Sequence, residues 1–400
     1  MQFRYIRTIL LMLLPICLAV SPVIGAIQLG DVVGSASVRT RTIEVTGQPA
    51  SLVGQAQQLF GLHGGFEQVG SRPDFSFDFS AVPSSGVKLT ISSRGKMLWQ
   101  GAFTGETQRE ALYAAADTAV SKTLGSKGFF QSKIAFISDR TGNSEVYLSD
   151  ILFQAVRQLT KDRSQCLSPN LSPDGTTLLY TSYHGTGFPD IYKIDLRTGQ
   201  RSVFAGFRGT NTGATFSPDG RLVAMILSGS GNSELFLSNT QGRQLRRLTR
   251  TDSLEADPSW SPDGGHLVFT SDKMGGPQIY TSDVRGRSMT RVRTDISRNC
   301  SEPAWNPVDA SLIAFTAAVA GEFEVAVFSY KSGKSQIVSK GAGDAVHPVW
   351  LNDGRHLIYT ERTSRYRRLM VLDTATGKRA RLSPANLKNA REASPVYPRG

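Results

Sequence analysis

The chain is 400 residues long, 40% hydrophobic and 20% charged, which supplies apolar side chains for ordinary globular cores and excludes disorder or a coiled coil as a description of the whole. Its 39 glycines and 18 prolines, with 20 Phe and 11 Tyr, favour many short strands over long helices. The balance of charge is basic, 45 Lys and Arg against 33 Asp and Glu for a net +12, which on composition alone admits a nucleic-acid, membrane-surface or acidic-protein partner.

Arg4 and Arg7 precede an apolar run over residues 9–20 and then Ser21-Pro22-Val23-Ile24-Gly25-Ala26, the order of a secretory signal. The run is too short to cross a bilayer as a helix, and no later stretch approaches 18 uninterrupted apolar residues. This predicts a signal peptide over 1–25, cleavage near Gly25 or Ala26 and an exported product, with an uncleaved anchor as the alternative. Cys17 follows Ile16, whereas a lipid-attachment cysteine normally follows a small residue, which argues against a lipoprotein. After cleavage only Cys166 and Cys300 remain, too few for a disulfide scaffold, so stability must come from packing.

Residues 26–130 read as a small α/β domain. The stretch 26–42 is polar and irregular, a frayed terminus. Residues 50–62 place Leu52, Ala56, Leu59 and Phe60 on one helical face, and 107–124 do the same with Leu112, Ala116, Ala119, Val120 and Thr123. Between them, 87–91 and 97–103 read as a hairpin around Ser93-Arg94-Gly95. A link over 125–132 leads into the next domain.

From there the chain repeats. Ser172-Pro173-Asp174-Gly175, Ser217-Pro218-Asp219-Gly220 and Ser261-Pro262-Asp263-Gly264 are followed by weaker copies at Asn306-Pro307-Val308-Asp309 and Leu351-Asn352-Asp353-Gly354, with starts 45, 44, 45 and 45 residues apart. Each copy carries a strand ending in a large side chain, aromatic in all but the first copy, then the turn, an apolar strand, a polar loop, a second strand and a short final strand, which is one blade of a propeller. In the turn, proline presets φ, aspartate bonds back to the chain and glycine accepts positive φ. That explains the aspartates without making them metal ligands. Residues 133–159 carry a blade's last three strands and lack a first, whereas Ser394-Pro395-Val396-Tyr397-Pro398 reproduces a first strand with nothing after it. The two ends therefore complete one split blade, giving a six-bladed β-propeller over 131–400 whose closure removes exposed strand edges. Trp260, Trp305 and Trp350 share one repeat position with Leu171 and Phe216, read as packing between blades rather than a binding cage. Cys166 and Cys300 fall three blades apart, too far for a disulfide, so two free thiols are expected.

These features, and especially the stretches SDRTGNSEVYLSD at 138–150 and DPSWSPDGGHLVFTSD at 257–272, resemble the TolB family of periplasmic propellers of the Tol-Pal system. The resemblance covers 133–400 and extends back over the helix from Thr107. It weakens upstream, where the family's longer N-terminal domain starts with an apolar strand and this chain offers only 38–45, which puts contact of the mature N-terminus with TolA in doubt. It implies a periplasmic binding protein that takes the peptidoglycan-associated lipoprotein Pal, or a Pal-like partner, at the channel mouth and contributes to outer-membrane integrity and constriction at division; a closed propeller needs no oligomer, so a monomer is expected.

The connection into each first strand and the loop between second and third strands share one side of a propeller. The residues four before each turn motif, Ser168, Gly213, Asp257, Glu302 and His347, are therefore candidates for the mouth. An enzymatic alternative is a paralogous propeller acting as a hydrolase or as a calcium-dependent lactonase, with Asp257 and Glu302 holding the ion. A serine hydrolase would need a G-x-S-x-G elbow on an α/β-hydrolase domain, for which the chain leaves no room. The histidines, His63, His184, His266, His347 and His356, show no metal spacing and suit solvated or turn positions, so no catalytic residue, metal or other cofactor is assigned. Nucleic acid fails on address and on the absence of a reader motif. The basic excess is local: residues 345–400 hold 11 Lys and Arg against 4 Asp and Glu. Arg362, Arg365, Arg367 and Arg368 form a loop at the mouth that would steer an acidic partner or an anionic envelope surface.

Overall fold

The computed structural model describes residues 40–341 and 343–397. The signal segment, its cleavage site and Cys17 lie outside them. The first layer is a sheet in the order β2-β1-β3-β4-β5, built from β1 (Arg41–Gln48), β2 (Phe66–Gln68), β3 (Phe75–Val82), β4 (Gly86–Ser93) and β5 (Lys96–Phe103). Helices α1 (Ala50–Leu62) and α2 (Gln108–Leu124) pack on it and on each other. The buried residues of α1 are Leu52, Ala56, Leu59 and Phe60. Those of α2 include Leu112, Ala116, Ala119 and Val120, the stripe its periodicity requires, while Thr123 is only partly covered. Thr107 caps α2 by accepting the Glu110 N–H at 3.2 Å, and Gly125 ends the helix at φ 69°.

Two expectations change here. The chain is already ordered strand at Arg41 and Thr42, because the Arg41 N–H donates to Gly65 O at 2.9 Å, and Thr42 and Asp74 exchange hydrogen bonds of 3.0 and 2.9 Å. The strand β1 is interior to the sheet, pairing in parallel with β2 and β3, and the alternating Phe75, Phe77 and Phe79 of β3 form a strand that the sequence reading passed over.

Six four-stranded antiparallel sheets follow. In the second blade they are Cys166–Leu171, Thr177–Ser182, Asp190–Asp195 and Arg201–Ala205. The other complete blades open on Asn211–Phe216, Glu255–Trp260, Cys300–Trp305 and Asp344–Trp350, and the first blade takes its inner strand from the far end of the chain, Arg391–Val396 beside Lys133–Ser138. This closure uses the same latch as the blades it joins. The Phe216 N–H donates to Asn170 Oδ1 and the Trp305 N–H to Ser259 Oγ of the preceding blade, each at 3.0 Å; the Leu171 N–H donates to Ser394 Oγ, also at 3.0 Å.

The repeated turns hold their own aspartates: the Ser217 and Ser261 hydroxyls donate to Asp219 and Asp263 at 2.6 and 2.5 Å and hold both carboxyls below the usual range. Trp260 and Trp350 are buried between blades, each indole N–H donating at 3.0 Å to a carbonyl of the preceding blade, Thr215 and Ala304. Cys166 and Cys300 are buried free thiols.

Antiparallel blades have two faces. Turns after first and third strands lie on one, and loops after second and fourth strands on the other. The α/β layer sits on the turn face of the first and sixth blades. Its residues share one hydrophobic cluster with Ile151 and Phe153 of the first blade and Leu351, Ile358 and Val371 of the sixth.

Candidate site at the channel mouth

Each first strand begins on the face that the α/β layer leaves uncovered, and each carries a register shift against its neighbour. An extra residue in a strand frees an N–H and re-aims a side chain. The third residue of the second-blade first strand, Ser168, has φ 49°, and its counterparts Gly213, Asp257, Glu302, His347 and Glu392 have φ between 51° and 64°. Five of these are the positions the repeat spacing singles out.

The sixth, Glu392, was missed because Pro395 invites the wrong alignment. Proline directly follows Ser168, Asp257, Glu302 and His347, whereas in the closing strand it comes three residues after the ring position. Ladder register is the signal that finds it: Ser394 pairs with Ala135 as Ala304 pairs with Ala314, which sets Glu392 opposite Glu302 in the repeat.

Carboxylates reach from blade to blade and satisfy the freed N–H groups. Glu302 Oε2 accepts from the His347 N–H at 2.8 Å, and Glu392 Oε2 from the Ser168 N–H at 2.6 Å. Threonines complete the pattern from behind: the Glu302 and Glu392 N–H groups donate at 3.1 Å to Thr270 and Thr360 of the preceding blade. Glu302 also accepts the Thr316 hydroxyl at 2.6 Å and faces His347 Nε2 at 3.1 Å. The ring is thus three carboxylates and one imidazole held at fixed positions around the axis.

Asp257 is exposed at the channel mouth yet ringed by the first strands of the other blades. That enclosure, with Glu302 nearby and His347 opposing, pushes its carboxyl up to about 6. Against the same enclosure, Glu302, Glu392 and Asp257 raise the His347 imidazole above its ordinary value.

The arginine loop divides. Arg362 pairs with Asp344 at 3.0 Å, and Arg368 Nε contacts Glu361 at 2.5 Å with its guanidinium over the Tyr366 ring. Arg365 and Arg367 are exposed and pair with no carboxylate among the described residues. The mouth is therefore acidic at its centre and basic at the rim of the sixth blade.

Two of the five histidines depart from the sequence reading. His63 and His356 are fully buried, not solvated, and meet at the junction of the α/β layer with the turn face, ring centroids 4.4 Å apart. With Asp353 they bring three donor atoms within 4.8 Å. Most of those donors are already used. His356 Nδ1 faces Asp353 at 2.5 Å, its Nε2 accepts the Gly64 N–H at 3.1 Å, and His63 Nδ1 accepts the Gly65 N–H at 3.0 Å. Burial holds the His63 imidazole well below its ordinary range, so it sits neutral. Arg355 pairs both Asp373 oxygens at 2.9 and 2.6 Å within the sixth blade, beside the hydrogen bonds that join the blade to the α/β layer.

An α/β layer on a six-bladed propeller with a split closing blade defines the class. Residues 120–395 match the model described as the TolB beta propeller domain, and the chain belongs to that family. Among curated relatives, a protein TolB homolog of Chlorobium chlorochromatii is 34% identical over 201 residues, 48% of this chain and 44% of that one. The Tol-Pal system protein TolB of Bordetella pertussis is 32% identical over 174 residues, 43% and 40% of the two chains. The aligned segments thus span less than half of these relatives. The crystal structure of TolB from Acinetobacter baumannii superposes with a TM-score of 0.78 at 22% identity, covering 90% of this chain and 97% of that one, a likeness of fold. Among the described residues no helix is long and apolar enough to cross a membrane.

Proposed function

We propose that the chain is a periplasmic binding scaffold of the Tol-Pal system, without catalytic activity, that receives a Pal-like lipoprotein at the channel mouth and serves outer-membrane integrity and constriction at division. The observation that carries this is the ring of Ser168, Gly213, Asp257, Glu302, His347 and Glu392, fixed by bulges on the face that the α/β layer leaves open. A rigid ring of mixed charge selects a partner by electrostatic complementarity and limits the entropy lost on docking. The names of the curated relatives supply the system. In this reading, 1–25 is a cleaved signal, 26–130 the α/β domain and 131–400 the propeller, with Arg365 and Arg367 adding the steering charge. Contact with TolA would fall to the mature N-terminus.

The calcium-lactonase alternative gains nothing from the geometry, since Glu302 Oε2 is already taken by Thr316 and by the His347 N–H. Capture from the periplasmic fraction with the mature protein as bait tests the proposal. A Pal-like lipoprotein is expected in the eluate, and its absence under conditions that retain folded bait would overturn it.

A further inference from the structure

A second feature of the open face stands apart from the ring. In the sixth blade, the loop after the second strand and the connection from the fourth strand to the closing strand enclose a cleft of 430 Å³, within the range of about 300–1,000 Å³ typical of small-ligand sites. Arg365 and Arg367 line one wall, Arg381 and Lys388 the other, with Tyr366 and Ala385 between them.

The two walls are tied together and backed by the core. The Arg367 N–H donates to Asn389 Oδ1 at 3.1 Å, Asn389 Nδ2 donates to Asp139 of the first blade at 3.1 Å, and Leu387 is buried beneath. Lys388 and Asn389 both have positive φ, 30° and 49°, a conformation that costs free energy in non-glycine residues and persists only where its surroundings impose it.

The charges are uncompensated. Arg365, Arg367, Arg381 and Lys388 are exposed, and no carboxylate among the described residues pairs with any of them. Glu361 of the same blade is already shared by Arg368 and Arg379. Arg381 Nε donates to Ser383 O at 2.7 Å, which fixes the direction of its guanidinium. Four cations held around one cleft repel one another, and a multiply charged oxyanion relieves that repulsion where a single carboxylate would neutralise one charge.

We propose that this cleft binds a phosphoryl group. A phosphomonoester carries about −1.5 to −2 charges near neutral pH and three acceptor oxygens that match the guanidinium fork. The group could come from a lipid headgroup or from a soluble ester.

Calorimetric titration of the full mature chain with pyrophosphate tests the site. Saturable binding at one site is expected, weakened roughly tenfold or more when Arg365, Arg367, Arg381 and Lys388 are all replaced by Gln, since the exchange removes every cationic donor of the cleft. The single variant Arg381→Gln weakens binding by a smaller factor and guards against misfolding of the multiple variant. A control of equal charge, with Arg221, Arg243, Arg285 and Arg287 changed to Gln on the turn face, binds as the parent does. Co-sedimentation with phosphatidylcholine vesicles, with and without phosphatidic acid, separates the sources: recruitment by the acidic vesicles assigns a headgroup, and pyrophosphate binding without recruitment assigns a soluble ester. Absence of saturable pyrophosphate binding, or equal weakening by the cleft and control variants, overturns the proposal.

Discussion

The two ends of the sixth blade use charge in opposite ways. At the turn end, the Asp373, Asp353 and His356 side chains are buried against the α/β layer, the part-buried Arg355 is paired with Asp373, and His63 is kept neutral beside them. At the mouth end, the same blade leaves Arg365, Arg367, Arg381 and Lys388 without a carboxylate partner among the described residues and presents His347 within an acidic ring. Buried charge demands partners within the fold, because an uncompensated ion there costs several kcal/mol, whereas charge at a wet mouth can be left for something that arrives. The difference separates the end that holds the molecule together from the end that is available for binding.

Breaking the junction should have the largest effect. Asp373→Ala removes the fully buried carboxylate that pairs with the part-buried Arg355 and is expected to cost roughly 3 kcal/mol in urea denaturation. If the loss were no more than that of an exposed ion pair, the contrast between the two ends would fail. Gly64→Ala comes next. A Cβ there would lie 2.2 Å from Asp373 Oδ2 and 2.3 Å from its Cβ, so the layer must shift away from the blade. An overpacking cost of about 1–3 kcal/mol is expected, with faster proteolysis of the link between α2 and the first blade.

The mouth should respond differently, and weakly. In the fold Asp257 takes up its proton near pH 6, above its value of 3.8 in the free side chain, so its favourable contribution is full below that lower value and is lost as pH rises through about 6. Asp257→Asn should therefore stabilise the protein at pH 8 by about 1 kcal/mol after screening by channel water, and not at pH 4, as read from paired denaturation curves. Destabilisation at pH 8 would mean that Asp257 serves the fold rather than a partner.

Most of the propeller was legible because each blade is a local unit whose turns, strands and inter-blade aromatics recur at a fixed spacing. Five ring positions followed from that spacing. Glu392 did not, because the closing strand keeps the ladder register while moving its proline. The β3 strand was legible in the alternation of Phe75, Phe77 and Phe79 and was overlooked among polar neighbours. The junction was not legible at all: Gly64 and His356 are 292 residues apart, and only the packing of a separate layer on the sixth blade makes two histidines buried neighbours. The arginine loop was visible as charge, but which arginines stay open depends on Asp344 and Glu361 across the strand pairs.

The central claim is that the ring face binds and the turn face does not. Calorimetry with the soluble domain of a Pal-like lipoprotein from the same cell addresses it directly, comparing the parent with Glu302→Ala combined with His347→Ala, and with Arg221→Ala combined with Arg285→Ala on the turn face. The account predicts a loss of affinity of about tenfold or more for the ring variant and none for the turn-face variant. Unchanged affinity in the ring variant, with the fold intact by circular dichroism, would contradict it.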